Sequence, residues 1–295
     1  MTTLILGCGY LGQHVARILL ERGERVLGAV RGESTAARLA QMGVEPIRCD
    51  VTVSRSLEAL PRVERVIWAV GYDRRGGHSA RDVYVGGLDE ALDRLGATAA
   101  RWVQISTTGV YGRDDGAFVD ETTPVDPRTD SGQACWEAER MLGVYDVNAV
   151  VLRLAGIYGP GRIIRRAALE AGEPLGGDPD HWLNLIQVED AARFAVAALD
   201  QDTPSRLYLV ADDAPSRRRA FYEEAARLLD APPPRFLDAS ATRGMFGRDA
   251  SNKRIDAARI KRELDMACLY PDYRAGLAGM LAPAHPVQSE GAGSM

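Results

Sequence analysis

The sequence predicts a doubly wound α/β fold, a parallel sheet with helices on both faces. Three observations carry this expectation. Short apolar runs alternate with helix-period segments from the N-terminus to residue 154. The run Arg65 to Val70 is apolar almost throughout, as suits a parallel strand covered on both faces. The first strand also passes through a glycine-rich turn directly into a helix.

Taken in order, Thr3 to Leu6 form the first strand and Gly7-Cys8-Gly9-Tyr10-Leu11-Gly12 fits G-x-G-x-x-G. Val15, Ile18 and Leu19 then continue at helical spacing. In that context each glycine has a task. Gly7 turns the chain, Gly9 lets a pyrophosphate approach the backbone, and Gly12 seats the helix close to the sheet. This is the dinucleotide-binding (Rossmann) fingerprint, with Tyr10 and Leu11 opening the helix over the phosphates. Strands follow at Arg25 to Val30, Val44 to Arg48, Arg65 to Val70, Trp102 to Ser106 and Ala149 to Leu154. Helices lie between them at Ser34 to Gln41, Ser54 to Leu60, Ser79 to Leu95 and Gly132 to Leu142, the last after a polar loop from Gly112 to Thr129.

Beyond residue 160 the pattern loosens. Helices are expected at Arg162 to Glu170, Glu189 to Leu199, Arg217 to Leu229 and Lys253 to Leu264, and strands at Leu183 to Val188 and Leu207 to Val210. Pro232-Pro233-Pro234 is a stiff connector, and Ala282 to Met295 reads as a mobile tail. The expected organisation is a dinucleotide-binding domain of residues 1–160 plus 184–210. A smaller C-terminal α/β substrate lobe of residues 161–183 plus 211–282 and a flexible tail of 283–295 complete it.

A formal net charge of -5 argues against broad nucleic-acid or anionic-membrane binding. Cys8, Cys49, Cys135 and Cys268 stand far apart without a C-x-x-C pair, and the four histidines lack ligand spacing. The expectation is therefore a reducing, cytoplasmic setting with no disulfide framework and no metal. No secretory signal and no bilayer-spanning apolar run is seen in the sequence.

In a doubly wound sheet, ligands bind beyond the carboxyl ends of the strands. Those ends carry Gly7, Arg31, Asp50, Ala69-Val70-Gly71, Thr107 and Leu154. The second strand ends in Arg31 with no acid before Glu33, so a 2′-phosphate has a cation where NAD enzymes place a ribose-binding carboxylate. NADP is expected in preference to NAD. Asp50 is placed to accept from the adenine amino group, or to cap the following turn.

The chain resembles an extended short-chain dehydrogenase/reductase of the atypical, NAD(P)-dependent epimerase/dehydratase-like kind. The resemblance rests on the glycine loop and on Ile105-Ser106-Thr107-Thr108-Gly109-Val110-Tyr111-Gly112. Asp120-Glu121-Thr122-Thr123-Pro124, Leu152 to Gly161 (L-R-L-A-G-I-Y-G-P-G), Asn184 to Asp190 and Tyr270 to Leu277 extend it. It implies a Ser or Thr, a Tyr and a Lys four residues later, in which the Tyr exchanges a proton with substrate and the Lys lowers its pKa and holds the nicotinamide ribose. Thr107 falls at the Ser/Thr position. Ser131 stands where Tyr is expected and Cys135 where Lys is expected, and no Tyr-x-x-x-Lys occurs elsewhere.

A serine hydroxyl is a far poorer proton donor than a tuned phenol. Three readings follow. The first is an oxidoreductase or epimerase/dehydratase-like enzyme acting on a small polar metabolite through another donor, with Tyr72 and Tyr111 as candidates. The second is a cofactor-binding redox sensor without turnover, and the third is non-redox chemistry in the same pocket. The resemblance further places Arg162, Trp182 and Asn184 at the substrate, Arg162 holding an anionic group or lying on a solvated helix face, and Trp182 stacking on a ring or serving only as lobe core. It also implies a homodimer through the helices around Ser79–Leu95 and Gly132–Leu142.

Overall fold

The structure is a computed structural model that describes residues 1–202, 205–237 and 250–281. Its centre is a seven-stranded parallel sheet built from β1 (Thr2–Leu6), β2 (Arg25–Val30), β3 (Glu45–Arg48), β4 (Arg65–Trp68) and β5 (Arg101–Thr107), with two later strands beside them. Numbering the two-residue strand Phe118–Val119 as β6, these are β7 (Ala149–Leu154) and, after β8 (Gly156–Tyr158), β9 (Trp182–Leu183) and β10 (Leu185–Gln187), β11 (Leu207–Val210). The spatial order is β11-β7-β5-β4-β1-β2-β3. The chain therefore builds outward from β1 to β3 and then returns to the other side of β1. That reversal leaves a crevice at the carboxyl ends of β1 and β4, where such sheets take their ligands.

Strand alternation distributes the core. Ile5 packs on one face with α1 (Tyr10–Glu21), α2 (Glu33–Gln41) and, numbering in chain order, α7 (Val188–Asp200). Leu4 and Leu6 pack on the other with α3 (Ser54–Leu57), α4 (Gly87–Leu95) and α5 (Asp130–Val144). β4 is buried at every residue, as its composition requires.

A separate apolar cluster joins Tyr158, Leu175 and Leu183 to α6 (Arg166–Glu170), α8 (Arg218–Leu228) and α10 (Tyr273–Leu281). Phe221 organises it, with edge-on ring contacts to Tyr158, Tyr222 and Tyr273 at 6.1, 5.3 and 5.8 Å. Short strands tie this region to the sheet domain: β8 with β10, β9 with β12 (Ser216–Arg217), and β6 with β13 (Arg254–Ile255).

Several local expectations are corrected. The segment expected to be helical from Lys253 opens as β13, because Ile255 enters the core beside Val119, and only α9 (Ala258–Glu263) is helical. The helix expected from Arg162 starts at Arg166, since Gly159 and Arg162 form a bridge and Gly161 and Arg165 adopt positive φ. The strand expected over Leu183 to Val188 is broken at Asn184 into β9 and β10. The polar loop from Gly112 contains β6, and α3 stops at Leu57. In the helix expected from Ser79, the turn Asp82–Gly86 is widened to π geometry. Ala282 to Met295 lies outside the described residues.

Candidate functional site

Gly7 has φ +77°, and a Cβ there would lie 2.6 Å from the Val70 backbone, so the turn tolerates only glycine. Its N–H and that of Cys8 donate to the Ala29 carbonyl. Gly9 differs: a Cβ would meet nothing nearer than the Gly7 carbonyl at 3.8 Å. The glycine therefore serves the space outside the loop, which a side chain would fill. The N-terminus of α1 has no side-chain cap and no acid in its first turn, leaving N–H groups and dipole for an anion. These residues fit a dinucleotide pyrophosphate. Tyr10 donates to the Pro160 carbonyl at 3.1 Å, and the Arg162 guanidinium lies 5.2 Å over its ring. Arg162 thus flanks this cradle.

At the neighbouring strand ends, Arg31 is exposed after β2 and Asp50 is half-buried after β3. Asp50 Oδ1 accepts from the Thr52 N–H at 3.0 Å and the Thr52 hydroxyl at 2.7 Å. Burial acts to raise this carboxyl, but the Thr52 hydrogen bonds, with the Arg31 and His78 charges, hold it below the ordinary range. The turn-capping geometry is thus realised at Asp50. Ala69 N–H donates to the Leu6 carbonyl beside the glycine loop, and Val70 and Gly71 follow it. Tyr72 donates its backbone N–H to the Tyr84 hydroxyl on the widened turn, with the two rings 6.3 Å apart.

A cavity of about 550 Å³ opens past the end of β5. It gathers Thr107, Tyr111, Ser131, Trp182 and Asn184, but not Tyr72, Cys135 or Arg162. Thr107 Oγ1 accepts from the Gly109 N–H at 3.0 Å, which fixes its rotamer. Thr129 caps α5 by accepting from the Gly132 N–H, and its hydroxyl lies 3.4 Å from that of Ser131 in the first helical turn. One turn further, Cys135 is buried; burial, aided by the Glu139 charge, pushes its thiol up to about 12. Such a thiol is inert at neutral pH.

Tyr111 is 1% exposed and its hydroxyl is committed, donating to the Asp120 carbonyl at 3.0 Å and accepting from Arg153 at 2.6 Å. Burial raises this phenol against the opposing Arg153 charge. Arg153 also clamps Glu139 through contacts of 3.1, 3.1 and 2.6 Å, and Glu139 accepts from the Ser106 hydroxyl. This buried network pins β5, β7 and α5 together behind the cavity. The sequence reading missed it, since both partners stand in segments that read only as helix and strand.

Asn184 has a structural task as well. Its Nδ2 donates to the Lys253 carbonyl at 2.8 Å, and its Oδ1 accepts from the Ile255 N–H at 2.8 Å. Trp182 is covered by the Arg217 guanidinium at 3.8 Å and flanked by Arg254 at 5.2 Å. Lys253, which the sequence reading placed only in a helix, lines the same cavity and is 4% exposed. The signal that could have found it is compositional: of 36 basic residues only Lys253 and Lys261 are lysines. Among the described residues, no cluster of three or more His, Cys, Asp or Glu is arranged to hold a metal ion, and no helix is long and apolar enough to cross a membrane.

A glycine-rich turn between β1 and α1 at the crevice of a doubly wound sheet, with the Thr107–Ser131 cavity past the end of β5, is the arrangement of an extended short-chain dehydrogenase/reductase. The chain belongs to the NAD dependent epimerase/dehydratase family, whose model matches residues 3–211. It is 31% identical over 275 residues to Protein YeeZ of Escherichia coli K12, covering 91% of this chain and 96% of that protein. A structure described as a putative NAD-dependent epimerase/dehydratase from Methylobacillus flagellatus superposes with TM-score 0.75 at 30% identity, covering 95% of this chain and 97% of the other. The Bordetella bronchiseptica enzyme WbmG, solved with NAD, shares the fold at TM-score 0.78 and 20% identity, over 96% of this chain and 93% of its own.

Proposed function

We propose that the chain is a nicotinamide-dependent enzyme performing oxidoreductase or epimerase/dehydratase-type chemistry on a small polar metabolite that carries negative charge. The observation that carries this reading is the cavity: Thr107 and Ser131 line one space whose charged residues, besides Lys253, are Arg74, Arg113, Asp114 and Arg128, three cations to one acid among the described residues. The family's nicotinamide cofactor supplies hydride exchange when bound. Gly7, Gly9, Tyr10, Leu11 and Gly12 hold its pyrophosphate, and Ala69, Val70 and Gly71 border it at the end of β4. NADP is the preferred form because the exposed Arg31 offers a cation to a 2′-phosphate. Asp50 borders the adenine side, and Cys135 packs where the family lysine would meet the nicotinamide ribose.

Thr107 and Ser131 orient the substrate oxygen by hydrogen bonds. Tyr111 supports the wall through Arg153, since its hydroxyl is already paired on both sides. Trp182 and Asn184 shape the far wall. The substrate region comprises residues 161–183 plus 211–282, and the protein works in the cytoplasm, with a homodimer formed through α4 and α5. The absence of Tyr-x-x-x-Lys favours a second reading, a cofactor-binding regulator without turnover. The two separate in a metabolite screen read by NADPH absorbance. Substrate-dependent oxidation that Gly9→Asp abolishes supports the enzyme; a flat signal across carbonyl and sugar-nucleotide panels, with NADPH bound, supports the regulator.

A further inference from the structure

Lys253 is a buried amine with no carboxylate partner among the described residues. There its hydrogen bond donates to the Ser251 hydroxyl at 2.8 Å. A buried cation normally keeps a counter-charge, because desolvation otherwise costs too much. Here the surroundings hold it in place regardless. Asn252 receives the Trp182 N–H on its Oδ1 and donates its Nδ2 to the Asp114 carbonyl. Arg254 donates its backbone N–H to the Ala117 carbonyl, Asn184 donates to the Lys253 carbonyl and accepts from the Ile255 N–H, and Lys253 lines the Thr107–Ser131 cavity.

The choice of residue narrows its task. This chain uses 34 arginines and two lysines, so a plain anion anchor would here be an arginine. An arginine guanidinium does not release a proton in a protein, whereas a desolvated lysine amine does. Among the described residues, the charged groups lining the cavity from the other elements are Arg74, Arg113, Asp114 and Arg128. Asp114 is engaged by Arg128 at 2.9 Å, and Arg113 by Asp115 at 3.0 Å.

Resting on the nicotinamide-dependent reading above, we propose that Lys253 is the proton-exchanging group of this site. Its ammonium protonates the carbonyl oxygen of a small anionic carbonyl compound, the task that Tyr-x-x-x-Lys performs elsewhere in the family. As the carbonyl carbon gains hydride from a reduced nicotinamide, the carbonyl π pair moves to oxygen, that oxygen takes one proton from the ammonium, and neutral amine remains. In the alcohol-oxidising direction the neutral amine takes the hydroxyl proton. Burial brings the amine down to about 8, where both forms are present near neutral pH. Thr107 and Ser131 share the cavity as donors to the same oxygen.

The test uses the intact protein labelled with ¹³C/¹⁵N-lysine, which gives two side-chain signals, assigned with the surface variant Lys261→Arg. The Lys253 signal is expected to titrate near 8. Glyoxylate with cyanoborohydride, mapped by peptide mass spectrometry, is expected to alkylate Lys253 from the cavity. Calorimetry with NADPH runs alongside on wild type and Lys253→Met. A Lys253 signal titrating above 10, or a lysine inert to glyoxylate in protein that binds NADPH, overturns the proton-exchange role and leaves the cofactor reading standing. Wild-type protein that binds no NADPH overturns that reading, and this inference with it.

Discussion

Removing the cation of the network behind the cavity is expected to be severe. In Arg153→Met the Glu139 carboxylate keeps only the Ser106 hydroxyl, and both charged side chains are 3–5% exposed in the native fold. Breaking a buried pair from one side costs about 3–5 kcal/mol, because an uncompensated charge remains. The Tyr111 hydroxyl also loses its charged donor, adding about 1 kcal/mol. Against a whole-domain stability of about 5–15 kcal/mol, the variant should unfold at much lower urea. The double variant Glu139→Leu/Arg153→Met removes both charges and should recover most of the loss. Urea denaturation of wild type, both single variants and the double closes the cycle. A cost for Arg153→Met below about 1 kcal/mol, or a double variant as damaged as the sum of its singles, would refute the reasoning.

Two further predictions concern pH. Asp212 is 4% exposed, and burial pushes its carboxyl up to about 8, while its Oδ2 finds no partner among the described residues. The folded state therefore keeps a proton that the unfolded chain releases near 3.8, and stability falls as pH rises from about 4 through 8, by at most about 6 kcal/mol. Asp212→Asn should flatten that slope in thermal melts between pH 5 and 8, and an unchanged slope counts against it. Glu189 has the opposite sign. Hydrogen bonds from His14 and Arg17, the latter at 2.5 and 2.6 Å, hold it at about 2 despite partial burial. Its contribution is present above about pH 4.5 and lost as pH falls toward 2; solvent screening of the exposed Arg17 limits it to about 1–2 kcal/mol. Glu189→Gln should remove that acid-side loss, and an identical acid transition in wild type and variant would contradict it.

The first half of the chain was legible because its signals are local. The Gly7–Gly12 loop, the apolar run at Arg65 to Trp68 and the strand–helix alternation each dictate their own structure. The second half depends on long-range pairing. β13 exists because Ile255 packs beside Val119, 136 residues away in the chain, and no pattern within Lys253 to Leu264 announces it. The same holds for the site. Thr107, Ser131, Trp182 and Asn184 line one cavity. Tyr111 offered a phenol in the sequence, but tertiary contacts engage its hydroxyl. Lys253 carried no motif, and only the fold shows that it lines the cavity with no acid paired to it among the described residues.

The central claim is that the β1–α1 loop holds a nicotinamide dinucleotide, and calorimetric titration with NADPH and NADH tests it most directly. Wild-type protein is expected to bind NADPH more tightly than NADH, and Arg31→Ala should erase most of that difference by removing the cation for the 2′-phosphate. Gly9→Asp should bind neither, since its side chain fills the space left open at Gly9 and sets a negative charge there. Absence of binding to either cofactor by wild type, or unimpaired binding by Gly9→Asp, would contradict the account.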